Sequence, residues 1–206
     1  MNTLLQINSS LFAAEGQSSR LATHFVERWR AAHPGATVLV RDLARDPVPH
    51  LDAGLFVAFL AKDEVRDAAQ KVAVAYSDML IAELKRADVI VLGLPMYNFG
   101  VPSVLKAYFD HVARAGVTFR YTERGPVGLL GGKQAYVFAA RGGQYVGTPR
   151  ETQTAYVRQF LGFLGIENVE FVYAEGLAID DASRQAALTR AHSSIDSLTG
   201  HLPIAA

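Results

Sequence analysis

Residues 88–93 read DVIVLG and are followed at once by residues 94–102, LPMYNFGVP. The first stretch is nearly all apolar, which is typical of a parallel strand that is covered on both faces. The second stretch combines two prolines, a glycine and two aromatic residues with Asn98. Prolines fix the path of the chain, and aromatic rings offer a flat apolar surface. Together the two stretches predict a buried central strand that ends in a loop suited to a planar ring system.

Short apolar runs alternate with helical periodicity on both sides of this segment. Four more strands are predicted, at 3–7, 37–40, 134–140 and 169–173. Apolar residues at the helical spacing predict a helix after each strand, and the five helical segments include 21–29, 63–86, 105–112, 157–164 and 188–198. Strands that alternate with helices in this way predict an α/β fold with a doubly wound, five-stranded parallel sheet and helices on both faces.

Several local features of these elements are also predicted. Ser18 or Ser19 is expected to cap the first helix, Ser103 the helix after the central strand, and Asp180 or Asp181 the last helix. The stretch 41–62 is expected to be irregular, and 116–133 to be a glycine-punctuated connection. The helix over 63–86 is expected to present one apolar face, formed by Val65, Ala69, Val72, Tyr76, Met79 and Leu80.

Length and composition limit the classes of function. A chain of 206 residues suits a single α/β domain, 1–206. Lys plus Arg and Asp plus Glu both number 20, so no general field exists to hold nucleic acid. The absence of cysteine excludes disulfides, thiolate nucleophiles and iron–sulfur ligation. The amino terminus lacks the pattern of a signal peptide and no apolar run is long enough to span a membrane, so a cytoplasmic location is expected.

Ligands of such sheets bind outside the carboxyl ends of the strands, which directs attention to three loops. The first, 8–20, contains Ser10, Gly16, Gln17 and Ser18 at the start of a helix. Hydroxyls and backbone N–H groups at a helix start favour a phosphate. The alternative is that the serines only cap the helix and line a solvated turn.

The other two loops suit a flavin. In the second, 94–102, Met96, Tyr97, Asn98 and Phe99 offer aromatic surface and both donors and acceptors for the edge of the ring system; the alternative is a buried structural turn.

In the third loop, Ala140 and Arg141 precede Gly142 and Gly143, where the backbone can approach a ligand closely and stabilise charge at the pyrimidine end of a flavin. The alternative is a glycine-rich turn with a solvated arginine.

Sequence motifs for other nucleotide sites, metal sites and hydrolases are absent or incomplete. Gly132 and Lys133 are followed by Gln134 in place of the serine or threonine of a P-loop, and there is no G-x-G-x-x-G. No H-E-x-x-H or G-x-S-x-G occurs, so neither a metal site nor a serine hydrolase is expected. Among the six histidines His111 follows the second loop and could face the site, but a surface or packing role is the preferred interpretation for it.

Five segments carry a resemblance to a known family. They are PMYNF at 95–99, ARAGVTFRYTE at 113–123, RGG at 141–143, FLGFLGI at 160–166 and AEG at 174–176. With these segments the chain resembles the bacterial FMN-dependent NADH:quinone oxidoreductases and azoreductases of the flavodoxin-like superfamily, over nearly its whole length.

The resemblance implies a flavodoxin-like fold, a tightly but non-covalently bound FMN, NADH or NADPH as co-substrate, and a homodimer with flavin sites at the interface. It implies flavin contacts from Ser10, Gln17, Ser18, Met96, Tyr97, Asn98, Phe99, Arg141, Gly142 and Gly143. Gly16 and Ala140 stand where relatives often have serine, so they leave a backbone N–H without a hydroxyl.

The expected activity is a ping-pong, two-electron reduction of quinones and the reductive cleavage of aromatic azo compounds. The chemistry takes place at N5 of FMN, so no catalytic side chain is expected. The substrate pocket is expected to include Phe99, Phe119, Tyr121 and Phe163. Two alternatives remain: a flavodoxin-type protein that delivers single electrons to protein partners, and a non-catalytic nucleotide-binding module.

Overall fold

The computed structural model describes residues 3–200; residues 1–2 and 201–206 of the predicted domain lie outside the described part. The strands within residues 3–200 are β1 Thr3–Asn8, β2 Thr37–Asp42, β3 Val89–Pro95, β4 Phe119–Thr122, β5 Gly125–Gly128, β6 Gln134–Ala140 and β7 Asn168–Ala174. The α-helices of the same range are α1 Gln17–Ala32, α2 Ala53–Leu60, α3 Ala68–Arg86, α4 Ser103–Val112, α5 Gln153–Phe163 and α6 Asp181–Gly200.

Five strands form one parallel sheet in the order β2-β1-β3-β6-β7. The order reverses direction between β1 and β3, which makes this the topological switch point of the sheet. In the register of the sheet Asn8 is paired with Gly93, and Pro95 with Ala140. The carboxyl ends of the three central strands are therefore adjacent, and the three predicted loops leave the sheet side by side.

Helices cover both faces of the sheet, as predicted. On one face α1 and α6 bury Phe25 and Trp29 against the sheet, and Phe25 packs against Tyr136 with the ring centroids 4.5 Å apart. On the other face α3, α4 and α5 enclose a second core that includes Tyr108, Phe109 and Leu161. Every residue of β3 is buried, as its nearly continuous apolar sequence indicates.

Two connections contain structure that the sequence analysis did not predict. The stretch 41–62 is not irregular throughout, because α2 forms within it and the Asp52 carboxylate accepts the Leu55 N–H at 2.8 Å as its cap. The connection 116–133 contains the antiparallel pair β4 and β5.

The long helix predicted for 63–86 begins later than expected. Residues Asp63–Val65 form a separate 3-10 turn, and α3 starts after a reciprocal capping box between Asp67 and Gln70. Because the box satisfies the first free N–H groups of α3, the helix begins at Ala68.

The predicted caps are partly wrong. Gly16 and Pro102 precede α1 and α4 without a side-chain cap, while Ser18, Ser19 and Ser103 lie inside the helices. Asp180 does cap α6, since its carboxylate accepts the Ser183 N–H at 2.7 Å. This hydrogen bond lowers the pKa of the Asp180 carboxyl.

The predicted apolar face of α3 is partly wrong. Leu80 is buried as predicted and Tyr76 packs against the core, but Val65 and Val72 are each 73% exposed and Met79 is 41% exposed. The helix also buries Val74, Ser77, Ile81 and Leu84. Apolar residues occur on more than one side of this helix, and periodicity alone did not identify the side that meets the sheet. Among residues 3–200, none of the helices combines the length and hydropathy that crossing a membrane requires.

Candidate functional site

The first loop places buried hydroxyl groups at the start of α1. Ser9 Oγ donates to the Gly93 carbonyl oxygen at 2.7 Å and fixes the loop to the end of β3. The hydroxyls of Ser18 and Ser19 are buried in the first turn of α1 and have no hydrogen-bond partner among residues 3–200. Buried polar groups are almost always satisfied, so these two hydroxyls at a helix amino terminus fit an anionic ligand such as a phosphate.

Gly16 allows a close approach within the same loop. A Cβ at this position would lie 2.1 Å from Ser10 Oγ, so a larger residue requires Ser10 to move. Ser10 Oγ accepts the Phe12 N–H at 3.2 Å. Gly16 stands where relatives often have serine, and its lack of a side chain leaves the space that the Ser10 hydroxyl occupies.

Tyr97 joins the first loop to the second. Its hydroxyl accepts the Leu11 N–H at 3.2 Å and lies 3.4 Å from Ser10 Oγ. The predicted phosphate-binding and ring-binding loops are thus in direct contact, and Tyr97 lies between them.

The second loop is a tight turn with two left-handed residues. Tyr97 and Gly100 exchange backbone hydrogen bonds of 3.3 and 3.0 Å, while Asn98 and Phe99 have φ values of 50° and 64°. Positive φ at both central positions is the geometry of a type I′ turn. Asparagine accepts this conformation more readily than most residues, but phenylalanine does not. The turn presents Phe99, which is 51% exposed, at the surface.

The third loop lies beside this turn. The Met96 N–H donates to the Ala140 carbonyl oxygen at 3.2 Å, and the rings of Phe99 and Tyr145 meet edge to face with centroids 5.7 Å apart. A Cβ at Gly143 would lie 2.7 Å from the Tyr145 hydroxyl oxygen, so glycine is required for the ring to pack there. Tyr145 therefore belongs to the site, although the sequence analysis did not place it there.

Arg141 differs from the solvated arginine of the alternative reading. Its side chain is fully buried, and its guanidinium donates to Gln153 Oε1 at 3.2 Å, Glu175 Oε1 at 3.0 Å and Glu151 Oε1 at 2.5 Å. Its backbone N–H donates to the Ala174 carbonyl oxygen at 2.9 Å. Arg141 thus supports the loop from inside, while Gly142 and Gly143 follow it toward the surface.

Several of these residues could not be identified from the sequence. Gln153 and Glu151 carry no local motif, and the AEG segment at 174–176 gives no indication that Glu175 contacts Arg141. Glu175 reaches Arg141 only because β7 is the neighbour of β6 in the sheet.

The four predicted pocket residues do not come together within one chain. Phe99 lies at the amino end of α5, where the Thr152 hydroxyl donates to its carbonyl oxygen. Phe163 is the last residue of α5 and packs against Phe119, with ring centroids 4.3 Å apart, and Phe119 contacts Tyr121 at 5.5 Å. The length of α5, about 15 Å at 1.5 Å per residue, separates the two groups.

His111 has a packing role, as preferred. Its Nε2 lies 3.0 Å from the Pro49 carbonyl oxygen, and its ring meets Phe59 and Tyr76 edge to face. Burial lowers the pKa of His111, which favours the neutral imidazole. In the described part of the chain no group of three or more His, Asp or Glu side chains is arranged to hold a metal ion.

The fold and the site define a flavodoxin-like protein. Residues 2–198 match the family model described as "Flavodoxin-like fold". An FMN-dependent NADH:quinone oxidoreductase of Cellvibrio japonicus is 58% identical over 177 residues, which cover 86% of this chain and 89% of that protein. FMN-dependent NADH:quinone oxidoreductase 6 of Burkholderia lata is 52% identical over 195 residues, or 95% and 98% of the two chains.

Solved structures agree with these sequence relatives. An azoreductase from Bacillus anthracis superimposes with a TM-score of 0.89 at 30% identity and covers 98% of this chain and 100% of its own. An FMN-dependent NADH-azoreductase from the same species, in complex with FMN, gives a TM-score of 0.88 at 28% identity, with 97% and 98% of the two chains covered. The chain belongs to the flavodoxin-like family of FMN-dependent NADH:quinone oxidoreductases and azoreductases.

Proposed function

We propose that this protein is an FMN-dependent oxidoreductase that uses NADH or NADPH to reduce quinones and to cleave aromatic azo compounds. The supporting observation is the pair of unpartnered buried hydroxyls, Ser18 and Ser19, at the start of α1, beside the turn that contains Asn98 and Phe99. A phosphate at α1 and a planar ring at the turn match the two ends of FMN. Relatives that are FMN-dependent NADH:quinone oxidoreductases and NADH-azoreductases support the same cofactor and the same class of reaction.

The residues of the three loops then have separate tasks. Ser10, Gln17 and Ser18, with the N–H groups at the start of α1, hold the phosphate. Met96, Tyr97, Asn98 and Phe99 hold the ring system, and Gly142 and Gly143 bring backbone close to its pyrimidine end. Bound FMN supplies hydride acceptance and donation at N5, so the protein contributes position and electrostatics.

A homodimer explains the division of the predicted pocket. Phe99 of one subunit and the cluster of Phe119, Tyr121 and Phe163 lie at opposite ends of α5 in the same chain, so a second subunit is needed to bring the two groups together. An exposed apolar surface on α2, α3 and the 3-10 turn between them supports association, because monomeric proteins seldom expose such clusters. Its members include Phe56, Val57, Leu60, Val65, Val72 and Met79.

Reduction and oxidation share one binding surface in this proposal. The exposed Phe99 ring and the adjacent Tyr145 ring favour flat apolar molecules, and both a nicotinamide and a quinone present a flat ring. Because the two substrates compete for the same surface, they react in turn, which is a ping-pong scheme.

The proposal is tested on the purified protein. The cofactor released by heat should co-elute with FMN, NADH or NADPH should bleach the flavin absorbance, and benzoquinones or naphthoquinones should restore it. Initial rates at several fixed quinone concentrations should give parallel double-reciprocal lines. Release of FAD in place of FMN would contradict the proposal. Reduction of a protein partner in preference to quinones would also contradict it, and would favour an electron carrier.

A further inference from the structure

Gln153 lies at the junction of the second and third loops. It is the first residue of α5, and it is 1% exposed. Its amide nitrogen donates to the Pro95 carbonyl oxygen at 2.8 Å and to the Gly100 carbonyl oxygen at 2.9 Å, while its Oε1 accepts from Arg141 Nε at 3.2 Å. A glutamine amide has two donors and one carbonyl oxygen, so each is used and the orientation of the group is fixed.

These contacts enclose the strained part of the second loop. Pro95 and Gly100 lie on either side of Asn98 and Phe99, the two residues with left-handed backbone. A side chain makes that conformation unfavourable, so the turn persists only where its surroundings hold it. Gln153 supplies two contacts across the turn, and the neighbouring Thr152 hydroxyl donates to the Phe99 carbonyl oxygen.

The other end of Gln153 is anchored in the third loop. Its partner Arg141 is held by Glu151 and Glu175. Glu175 Oε1 also accepts the Tyr145 N–H at 3.0 Å, and Glu151 Oε1 accepts the Thr154 N–H at 3.1 Å. Every charge in the cluster has a partner of opposite sign, as buried charges require. The third loop and the start of α5 are therefore one connected unit.

We infer that Gln153 is a positioning residue that sets the spacing between the turn at Asn98 and Phe99 and the backbone of Gly142 and Gly143. It does not itself meet the reacting atoms. The inference rests on the proposed function, because those two segments are the parts of the proposed flavin site that hold the ring system. If the hydrogen bonds of Gln153 are lost, the turn relaxes and the spacing of the two loops no longer fits a rigid planar cofactor.

Gln153→Met tests the role of these hydrogen bonds, because methionine has a similar length and lacks both amide donors. The dissociation constant for FMN, measured by quenching of FMN fluorescence on titration with apoprotein, should rise roughly 10-fold or more for the two lost hydrogen bonds. The rate of flavin reduction by NADH should also fall at saturating FMN, since the ring is held less firmly. Urea unfolding of the apoprotein measures the accompanying loss of stability.

Gln6→Met is the matched control. Gln6 is 3% exposed, and its amide nitrogen also donates twice, to Asn8 Oδ1 at 3.1 Å and to Thr23 Oγ1 at 3.0 Å. The first bond stays within β1 and the second joins β1 to α1, so neither joins the second flavin loop to the third. Gln6→Met should therefore lose comparable stability in the apoprotein while its FMN affinity stays close to that of the wild type.

Thr152→Val gives a second measurement that does not depend on the folding of Gln153→Met. Thr152 is exposed, and valine removes its donor to Phe99 with little change of shape. FMN affinity should fall a few-fold, and unchanged affinity would overturn the inference. So would a Gln153→Met protein that binds FMN as tightly as the wild type, or as tightly as Gln6→Met. Failure of the wild-type protein to bind FMN would instead overturn the proposed function, and the inference with it.

Discussion

At the scale of single residues, Asn98 combines two tasks that one substitution would not separate. Its φ of 50° places it in the left-handed region, and in the proposed function its amide contacts the edge of the cofactor ring. Asn98→Gly keeps the backbone conformation and removes the amide, whereas Asn98→Ala removes the amide and also disfavours the turn. Comparison of the two variants therefore isolates the polar contact.

We expect Asn98→Gly to weaken FMN binding by about 0.5–1.5 kcal/mol, the net value of one hydrogen bond. Asn98→Ala should weaken it further, by about 1 kcal/mol more, because alanine is less tolerant of positive φ. Fluorescence titration of the two apoproteins measures both effects. Wild-type affinity in the glycine variant would show that Asn98 acts only through the shape of the turn.

The residues of the second loop could be placed beside the candidate site from the sequence more readily than the residues that support this loop. Asn98 and Phe99 follow a buried strand directly, so their position beside the site could be predicted from their order in the chain. Gln153 lies 58 residues from the Pro95 carbonyl that it contacts. No periodicity or motif records such a contact, because it exists only after β6 and α5 have packed beside β3.

At the scale of elements, the five parallel strands were predictable because each is a short apolar run between turn signals. Helix α2 was not, because its eight residues, AGLFVAFL, are too few and too uniformly apolar to show a helical period. The hairpin of β4 and β5 was missed because each strand has only four residues and Gly125 and Pro126 resemble a loop.

His111 makes the packing of these elements sensitive to pH. It belongs to α4, and its ring lies against Phe59 of α2 and Tyr76 of α3. Its Nδ1 is buried and has no hydrogen-bond partner in the described part of the chain, and burial lowers the pKa of His111 below the ordinary value of about 6.5. The unfolded chain therefore takes up a proton more readily than the folded chain. Stability is complete above about pH 6.5 and declines as the pH falls toward the folded-state pKa.

His111→Gln removes this titration and can keep a donor to the Pro49 carbonyl oxygen. Urea unfolding between pH 8 and pH 5 should show that the wild type loses stability, relative to the variant, as the pH falls below about 6.5. The pKa of His192 is also lowered by burial, but His192 is present in both proteins and cancels in the difference. Parallel stability curves for the two proteins would contradict the buried, neutral state of His111.

At the scale of the whole molecule, the surface of α2 and α3 is the feature that the isolated chain does not explain. Leu60 is 66% exposed and Val72 is 73% exposed, although both side chains are large and apolar. The predicted apolar face of α3 was partly wrong for the core of the subunit, yet its exposed members form part of this surface. In the proposed homodimer a second copy of the chain covers them, and the proposed pocket combines Phe119 and Phe163 of one subunit with Phe99 of the other.

Val72→Lys and Leu60→Lys test this arrangement separately. Each side chain is exposed in the single chain, so the free energy of unfolding of the monomer should change by no more than about 0.5 kcal/mol. At a subunit interface the lysine would be buried without a partner, so sedimentation should show a shift from dimer to monomer. Val40→Lys is the control, because Val40 is 60% exposed on the edge strand β2.

Quinone reduction should fall together with the dimer, because the proposed pocket needs aromatic residues from both subunits. FMN binding should be affected less, since Ser18, Tyr97 and Gly143 of the three flavin loops belong to one chain. The ratio of quinone turnover to bound FMN is therefore the informative quantity, measured over a dilution series of each variant and of Val40→Lys. A lysine variant that remains dimeric would exclude this face as the interface, and a monomer with full quinone turnover would show that one chain completes the pocket.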